Sequence, residues 1–264
     1  VIPIADSLHD PETGNIIKAS TPKFAFVDQV KIPYLEKNFK KLKIYSLTPE
    51  NKSTYVYNLK TDKKVKPNEP AVENDTALIL FTSGTTGTPK GVMLSHKNII
   101  SDGYIAQTNL VILKEDVFYA LLPIHHAYTM QAAFICPLEV GAEIVFGKTM
   151  AVSRLMKELR EGKITIMLGV PLLYNKLLAG IRKGIKSKGA IVSFVMAVLR
   201  GISFLSKTIT GINIGKKLFK PVLQQANIYT LRVAICGGGP LAKGVFKQYQ
   251  AMGYDFSNPQ SRYR

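Results

Sequence analysis

The chain has 264 residues, 46% of them hydrophobic, which places it among globular proteins of one large or two small domains with a substantial core. Its two cysteines, Cys136 and Cys236, stand far apart in apolar runs, which suits a reducing compartment and two buried thiols better than a disulfide framework. The formal net charge is +17, and residues 162–254 carry fourteen Lys and Arg with no Asp or Glu. Such a field serves nucleic acid, an anionic membrane surface or anionic substrates, with a solvated basic face as the plainer reading.

In chain order, a helical pattern over residues 16–19 precedes two short strands, "KFAFVDQ" from Lys23 and "LKIYSL" from Leu42. Residues 48–70 turn polar with Pro, Asn and Lys and are expected to form a surface connection. The continuous apolar run "TALILFTSG" predicts a fully buried strand ending in a glycine-rich turn, and "GVMLS" a second strand after it. "HKNIISDGYIAQTNL" has helical spacing, with Ser95 placed as its N-cap. "DVFYALLP" is a buried strand leading into the loop "IHHAY". "AEIVFG" is a strand, and "SRLMKELREG" an amphipathic helix closed by Gly162.

"ITIMLGV" is another strand, after which Pro171 opens a helix with Leu173, Leu177, Ile181 and Ile185 on one face. Gly-rich basic helical pieces fill residues 182–226. Within them the ten-residue apolar run "AIVSFVMAVL" stops at Arg200 and Gly201, short of the ~20 residues of a spanning helix, so a buried or interfacial helix is expected there. "LRVAICGGGPLAKGVFKQYQAMG" closes the pattern as strand, glycine loop and helix. Strands alternating with helices predict an α/β architecture with a largely parallel sheet. No internal repeat and no signal peptide are visible. Val1 stands where a methionine would start a chain, so the natural start is expected upstream.

The chemistry concentrates in "TSGTTGTPKG", residues 82–91. Gly84 and Gly87 allow backbone N–H groups to approach an anion. Thr82, Ser83, Thr85, Thr86 and Thr88 supply hydroxyls, and Lys90 a flexible point charge. Amides, hydroxyls and one lysine suit a polyphosphate. The Walker A pattern fails, because its second glycine would fall at Pro89 and Lys90 is followed by Gly91. The loop also joins two predicted strands, where a Walker A loop joins strand to helix.

The string resembles, at every position, the [ST]-[ST]-G-[ST]-T-G-x-P-K-G phosphate loop of the adenylate-forming superfamily: AMP-binding acyl-CoA synthetases, luciferases and peptide-synthetase adenylation domains. "LPIHHAY" resembles the next family motif, which presents a His and an aromatic to the acyl site, here His126 and Tyr128. "ICGGGPLAKGVF" resembles the segment lying along adenine, here Gly237, Gly238, Gly239 and Pro240. "MLGVPLLYNKLLAGIRKGIKSKG" and "GINIGKKLFKPV" are most similar to long-chain fatty acid–CoA ligases, which also carry extra helical sequence where this chain has residues 182–226.

The resemblance implies layered, mostly parallel sheets flanked by helices, as an incomplete N-terminal AMP-binding domain spanning residues 1–264. It implies ATP, Mg2+ and CoA as reactants with a fatty acid. Thr82, Ser83, Gly84, Thr85, Thr86, Gly87 and Lys90 would hold phosphates, with Thr82 beside Mg2+. Lys90 and His126 would be catalytic, and His126, Tyr128 and Val170 would border the acyl group. A cytoplasmic enzyme is expected, peripheral at the inner face of an anionic membrane.

The similarity ends near Phe256. The family continues with G-Y-G-x-T-E, where this chain reads "SNPQSRYR". The Mg2+-holding glutamate, the ribose-binding aspartate and the C-terminal domain with its lysine are expected to be missing, as in a fragment or a frameshifted product, which on its own would be inactive. Three alternatives stand: an adenylating enzyme for another acid, such as an aryl acid, or one that activates fatty acids without CoA; a non-catalytic remnant that binds ATP or membranes; and a nucleic-acid binder. The last has no recognised motif and no aromatics interleaved with the basic run.

Overall fold

The computed structural model describes residues 1–50, 53–60, 69–82 and 89–254. They fall into two compact units, Val1–Ile99 and Ile100–Arg264.

In the first unit, α1 (Asp10–Ser20) begins where the His9 N–H donates to Glu12 Oε2 at 3.1 Å, with Pro11 in the first turn. It contains the helical pattern expected at residues 16–19. β1 (Phe24–Val27) and β2 (Lys43–Ser46) pair in parallel, with α2 (Ile32–Asn38), unforeseen in the sequence, between them. β3 (Thr76–Thr82) and β4 (Lys90–Ser95) form an antiparallel hairpin. The strand predicted as fully buried buries only alternate residues, Leu78 and Leu80, because β4 is its sole strand partner among the described residues. Gly91 faces Phe81, whose ring would lie 3.2 Å from a methyl there. Ser95 caps α3 (His96–Leu110) as expected: its hydroxyl accepts from the Asn98 N–H at 3.2 Å, and Asn98 Oδ1 accepts from the Ser95 N–H at 3.0 Å.

The second unit is built on a parallel sheet of order β6-β5-β7-β8, made of β5 (Val117–Ala120), β6 (Glu143–Phe146), β7 (Ile166–Gly169) and β8 (Val233–Cys236). Between β5 and β6 the chain is helical from Ala127, taking in the last two residues of the predicted loop "IHHAY": α4 (Ala127–Thr129), a π-helical stretch (Met130–Ile135) and α5 (Cys136–Val140). α6 (Val152–Glu161) ends at Gly162 as expected, although the left-handed residue is the next one, Lys163, at φ 47°. α7 (Pro171–Lys186) buries Leu173, Leu177 and Ile181 on the predicted face.

α8 (Ala190–Thr210) has 21 residues, so Arg200 and Gly201 interrupt the apolar run without ending the helix. It is long and apolar enough to cross a membrane by length and composition. Ile191, Phe194, Val195, Val198, Ile202, Leu205 and Ile209 are exposed in a stripe at three- and four-residue steps, so the helix is not a buried one. α9 (Gly215–Leu218), α10 (Lys220–Gln225) and α11 (Lys243–Ala251) complete the unit. Its main core joins Leu155 and Leu159 of α6, the inner face of α7, Phe219 and Leu223. Both cysteines are free and buried.

Asp116, Thr165 and Arg232 each stand one residue before a strand, at the starts of β5, β7 and β8. Asp116 is 3% exposed and accepts from the Thr165 hydroxyl at 2.7 Å, the Leu113 N–H at 2.8 Å and the Arg232 guanidinium. The Thr165 oxygen in turn accepts from the Val117 N–H at 2.9 Å. Burial pushes the Asp116 carboxyl up, but the bonds from Arg232, Leu113 and Thr165 outweigh it and hold the carboxyl below its ordinary range. A depressed carboxylate stabilises the fold above its unfolded pKa and loses that contribution as pH falls through the folded one. Arg232→Met therefore costs about 3 kcal/mol at pH 7, the low end for breaking a buried pair because Arg232 is partly exposed. The deficit shrinks below about pH 4; urea unfolding at pH 7 and pH 3 checks both.

Candidate active site

Thr82 ends β3 and Lys90 begins β4, directly opposite each other in register. Opposed residues of an antiparallel pair project on one face with Cβ atoms about 5 Å apart. A hydroxyl and an ammonium thus flank the base of the connection, both exposed. The two strands read from the sequence on either side of the connection are present. Ser83, Gly84, Thr85, Thr86, Gly87 and Thr88 lie outside the described residues.

In the second unit, three adjacent parallel strands deliver the remaining candidates to one edge of the sheet. The chain beyond β5 carries His126 and Tyr128, β7 leads to Val170, and β8 to Gly237. The C-terminal edge of a parallel sheet is where α/β proteins bind ligands, because the strand ends converge and the loops are free to vary. A methyl at Gly237 would lie 2.6 Å from the Tyr128 ring, and one at Gly238 3.3 Å from Val170 Cγ1. Gly238 also adopts φ 72°, which favours glycine. A methyl at Gly239 would rest 3.7 Å from Pro171. Tyr128, Val170 and the glycine segment therefore form one surface, followed by Pro240.

Burial raises the Tyr128 hydroxyl, with the neighbouring Cys236 adding to the effect. That hydroxyl has no hydrogen-bond partner among the described residues. A buried, unpaired phenol facing a glycine turn suits a ligand's polar group. His126 is exposed at the N-terminus of α4, its ring 4.1 Å from that of His125. Burial pushes the Cys236 thiol up to about 11, so it is protonated at neutral pH and unsuited to nucleophilic catalysis. No cluster of three His, Cys, Asp or Glu side chains able to hold a metal occurs among the described residues.

Sequence reading missed Tyr174. Its hydroxyl lies 2.9 Å from the Met167 carbonyl oxygen and 3.0 Å from that of Ile235, bridging β7 and β8 just before both reach the site. Tyr249 donates to the Tyr174 carbonyl at 2.9 Å, and their rings meet edge to face. Gly169 ends β7 because a methyl there would meet the Tyr174 ring at 2.8 Å. That glycine, together with a tyrosine in the first turn after Pro171, was the available signal.

The sequence matches the family described as AMP-binding enzyme over residues 1–258. The chain belongs to that family. It is 36% identical over 124 residues to long chain acyl-CoA synthetase 6, peroxisomal, of Arabidopsis thaliana, covering 46% of this chain and 17% of that protein. It is 28% identical over 216 residues to 4-coumarate–CoA ligase 1 of Solanum tuberosum, covering 77% of this chain and 38% of that one. The fold is similar to ATP-bound MatB from Rhodopseudomonas palustris, with a TM-score of 0.65 at 19% identity, over 97% of this chain and 44% of that one. The chain thus spans less than half the length of these relatives.

A ring packed on a glycine gives a direct check. Gly237→Ala should cost roughly 1–3 kcal/mol through overpacking. Most of that cost should vanish in a Tyr128→Ala background. Equal cost in both backgrounds, measured by chemical denaturation, would show that the ring is not the obstacle.

Proposed function

We propose that this chain forms part of an AMP-forming ligase that activates a long-chain fatty acid with ATP and transfers it to CoA. The observation that carries the ligase reading is the convergence of Tyr128, Val170 and Gly237–Gly239 on one sheet edge, in a chain that also presents Thr82 and Lys90 at the base of a Ser/Thr/Gly loop.

In the first half-reaction a carboxylate oxygen attacks the α-phosphorus of ATP and pyrophosphate leaves. In the second, the CoA thiol attacks the acyl carbon and AMP leaves. The first step brings two anions together, so catalysis is mainly positioning and charge neutralisation. Lys90 neutralises phosphate charge. Thr82, Ser83, Thr85 and Thr86 donate hydroxyl hydrogen bonds, and Gly84 and Gly87 open their backbone N–H groups to the β- and γ-phosphates. The Thr82 hydroxyl would stand beside a Mg2+ ion bound with ATP, which would supply further neutralisation of phosphate charge; one neighbouring hydroxyl suits an ion that keeps its waters and substrate oxygens in place of a protein cage. Gly237, Gly238, Gly239 and Pro240 flank adenine, while His126, Tyr128 and Val170 border the acyl carboxylate. No covalent enzyme intermediate is needed, which agrees with a Cys236 thiol raised to about 11.

Fatty acid as the substrate is supported by the similarity to a long-chain synthetase and by the apolar, basic helices α7 to α10. The longer match to a 4-coumarate–CoA ligase supports an aryl acid as the second reading. Pyrophosphate exchange by the product of the complete reading frame, with palmitate and 4-coumarate in turn, decides between them. Lys90→Ala should lower the palmitate-dependent rate about 10²–10³-fold, as for loss of one electrostatic partner in such a site, with folding intact. An unchanged rate at saturating ATP would remove the phosphate role.

The exposed stripe of α8 supports peripheral contact with an anionic membrane at the cytoplasmic face. Arg200 and Lys207 lie on the opposite side of the helix from the stripe, as in interfacial helices. A span is disfavoured because α7 before it and α10 after it both feed one core. The ends of a spanning helix stand about 30 Å apart across the hydrocarbon. Ile202→Glu, at a position 47% exposed, should weaken binding to anionic vesicles severalfold without unfolding the chain. Added salt should weaken it too. Equal binding to neutral and anionic vesicles at low salt would refute the preference for an anionic surface, and binding to neither would refute the membrane contact.

A further inference from the structure

The C-terminal half of α7, with α8 and α11, borders a cleft of about 360 Å³. Its floor is apolar: Leu178, Ile181, Phe219 and Met252 are buried there, with Ile185 and Met196 beside them. Its rim carries three cations, Arg182, Lys186 and Arg200, all exposed. No ion pair among the described residues involves any of the three, and residues 162–254 contain no carboxylate side chain to pair with them. Arg182 Nε donates to Gln248 Oε1 at 2.9 Å, which fixes the guanidinium across to α11 and leaves its terminal N–H groups for another acceptor.

We propose that this cleft binds an acidic amphiphile: a single apolar tail against the floor, with a carboxylate or phosphate head at the three cations. The volume lies at the low end for ligand sites, which suits one chain and not a two-tailed lipid. Exposed cations without an ion-pair partner among the described residues give the head its selectivity. The floor gives the tail its affinity, because burying apolar surface contributes about 25 cal/mol per Å².

The site is separate from the proposed acyl and nucleotide residues. Val170 precedes the first turn of α7, whereas Arg182 stands eleven residues beyond Pro171, about 16 Å along the helix axis. The face of α8 that borders the cleft, with Ser193, Met196 and Arg200, is opposite its exposed apolar stripe. A ligand in the cleft therefore leaves the stripe uncovered.

The test is calorimetric titration of this chain with dodecyl phosphate and dodecanoate, each below its micelle concentration. Inorganic phosphate, dodecyl maltoside and dodecyltrimethylammonium serve as controls. One-to-one binding of both anionic probes is expected, with the three controls at least tenfold weaker. Dodecyl phosphate binding without dodecanoate binding narrows the head to phosphate, and the reverse narrows it to carboxylate. Lys186→Gln with Arg200→Gln should weaken the anions about tenfold, in line with losing charge-assisted hydrogen bonds, and leave the maltoside unchanged. Met196→Trp, which fills the cleft with an indole, should block every tailed probe.

Maltoside or the cationic amphiphile binding as tightly as the anions overturns the proposal, as does inorganic phosphate alone matching dodecyl phosphate. Displacement of dodecyl phosphate by ATP also overturns it, by placing the probe in the nucleotide site. The wild-type comparison stands even where a variant fails to fold. Binding is read without turnover, so a failure of the ligase reading leaves this result intact.

Discussion

The buried carboxylate of Asp116 holds three strands at their starting ends. Thr165 and Arg232 meet it from the first positions before β7 and β8, and Asp116 itself precedes β5. Alone in a core, such a charge would be costly. Here an arginine, a hydroxyl and a backbone N–H all point at it, so the cost turns into registry: the strands cannot slide without leaving the carboxylate unpaired. Parallel strands gain no such alignment from a tight hairpin, because a crossover helix of variable length joins them.

Tyr174 completes the constraint at the other end. Its hydroxyl sits between carbonyls of β7 and β8, and its ring fills the space that Gly169 leaves open. With both ends held, Val170 and Gly237 must leave the sheet side by side. The contact of Tyr128 with Gly237 and that of Val170 with Gly238 follow from that registry. The site surface is thus set by residues that carry none of the proposed chemistry. Burial drives the Tyr174 phenol far above its ordinary range, so it stays neutral and keeps its bridging proton.

The parts legible in the sequence were those where chemistry restricts residue choice locally. A glycine loop between a strand and a helix at 237–239, a proline at 171 opening a helix, and Ser95 capping the helix of "HKNI" each rest on local residue chemistry, and the structure has all three. What failed depended on neighbours distant in sequence. "TALILFT" is as apolar as a central strand, yet with β4 alone beside it only one face is covered. The run from Ala190 looked as if it ended at Arg200, but a single arginine on a helix side that borders a cleft carries little penalty, and the helix runs on to Thr210. Asp116, Thr165 and Arg232 span more than a hundred positions, and no spacing rule links them.

The excess of positive charge also changes meaning once its members are placed. Arg232 serves Asp116 and so acts within the fold. Lys216 donates to the Leu231 carbonyl at 2.6 Å, with its ammonium 5.4 Å from the Tyr229 ring centre and 5.7 Å from that of Tyr254. Burial lowers its pKa, and the two aromatic faces partly replace the lost water. Arg182, Lys186 and Arg200 ring a single cleft. Of the fourteen basic residues in 162–254, Arg232 and Lys216 are thus used in holding the second unit together, while Arg182, Lys186 and Arg200 stand together at the rim of a cleft.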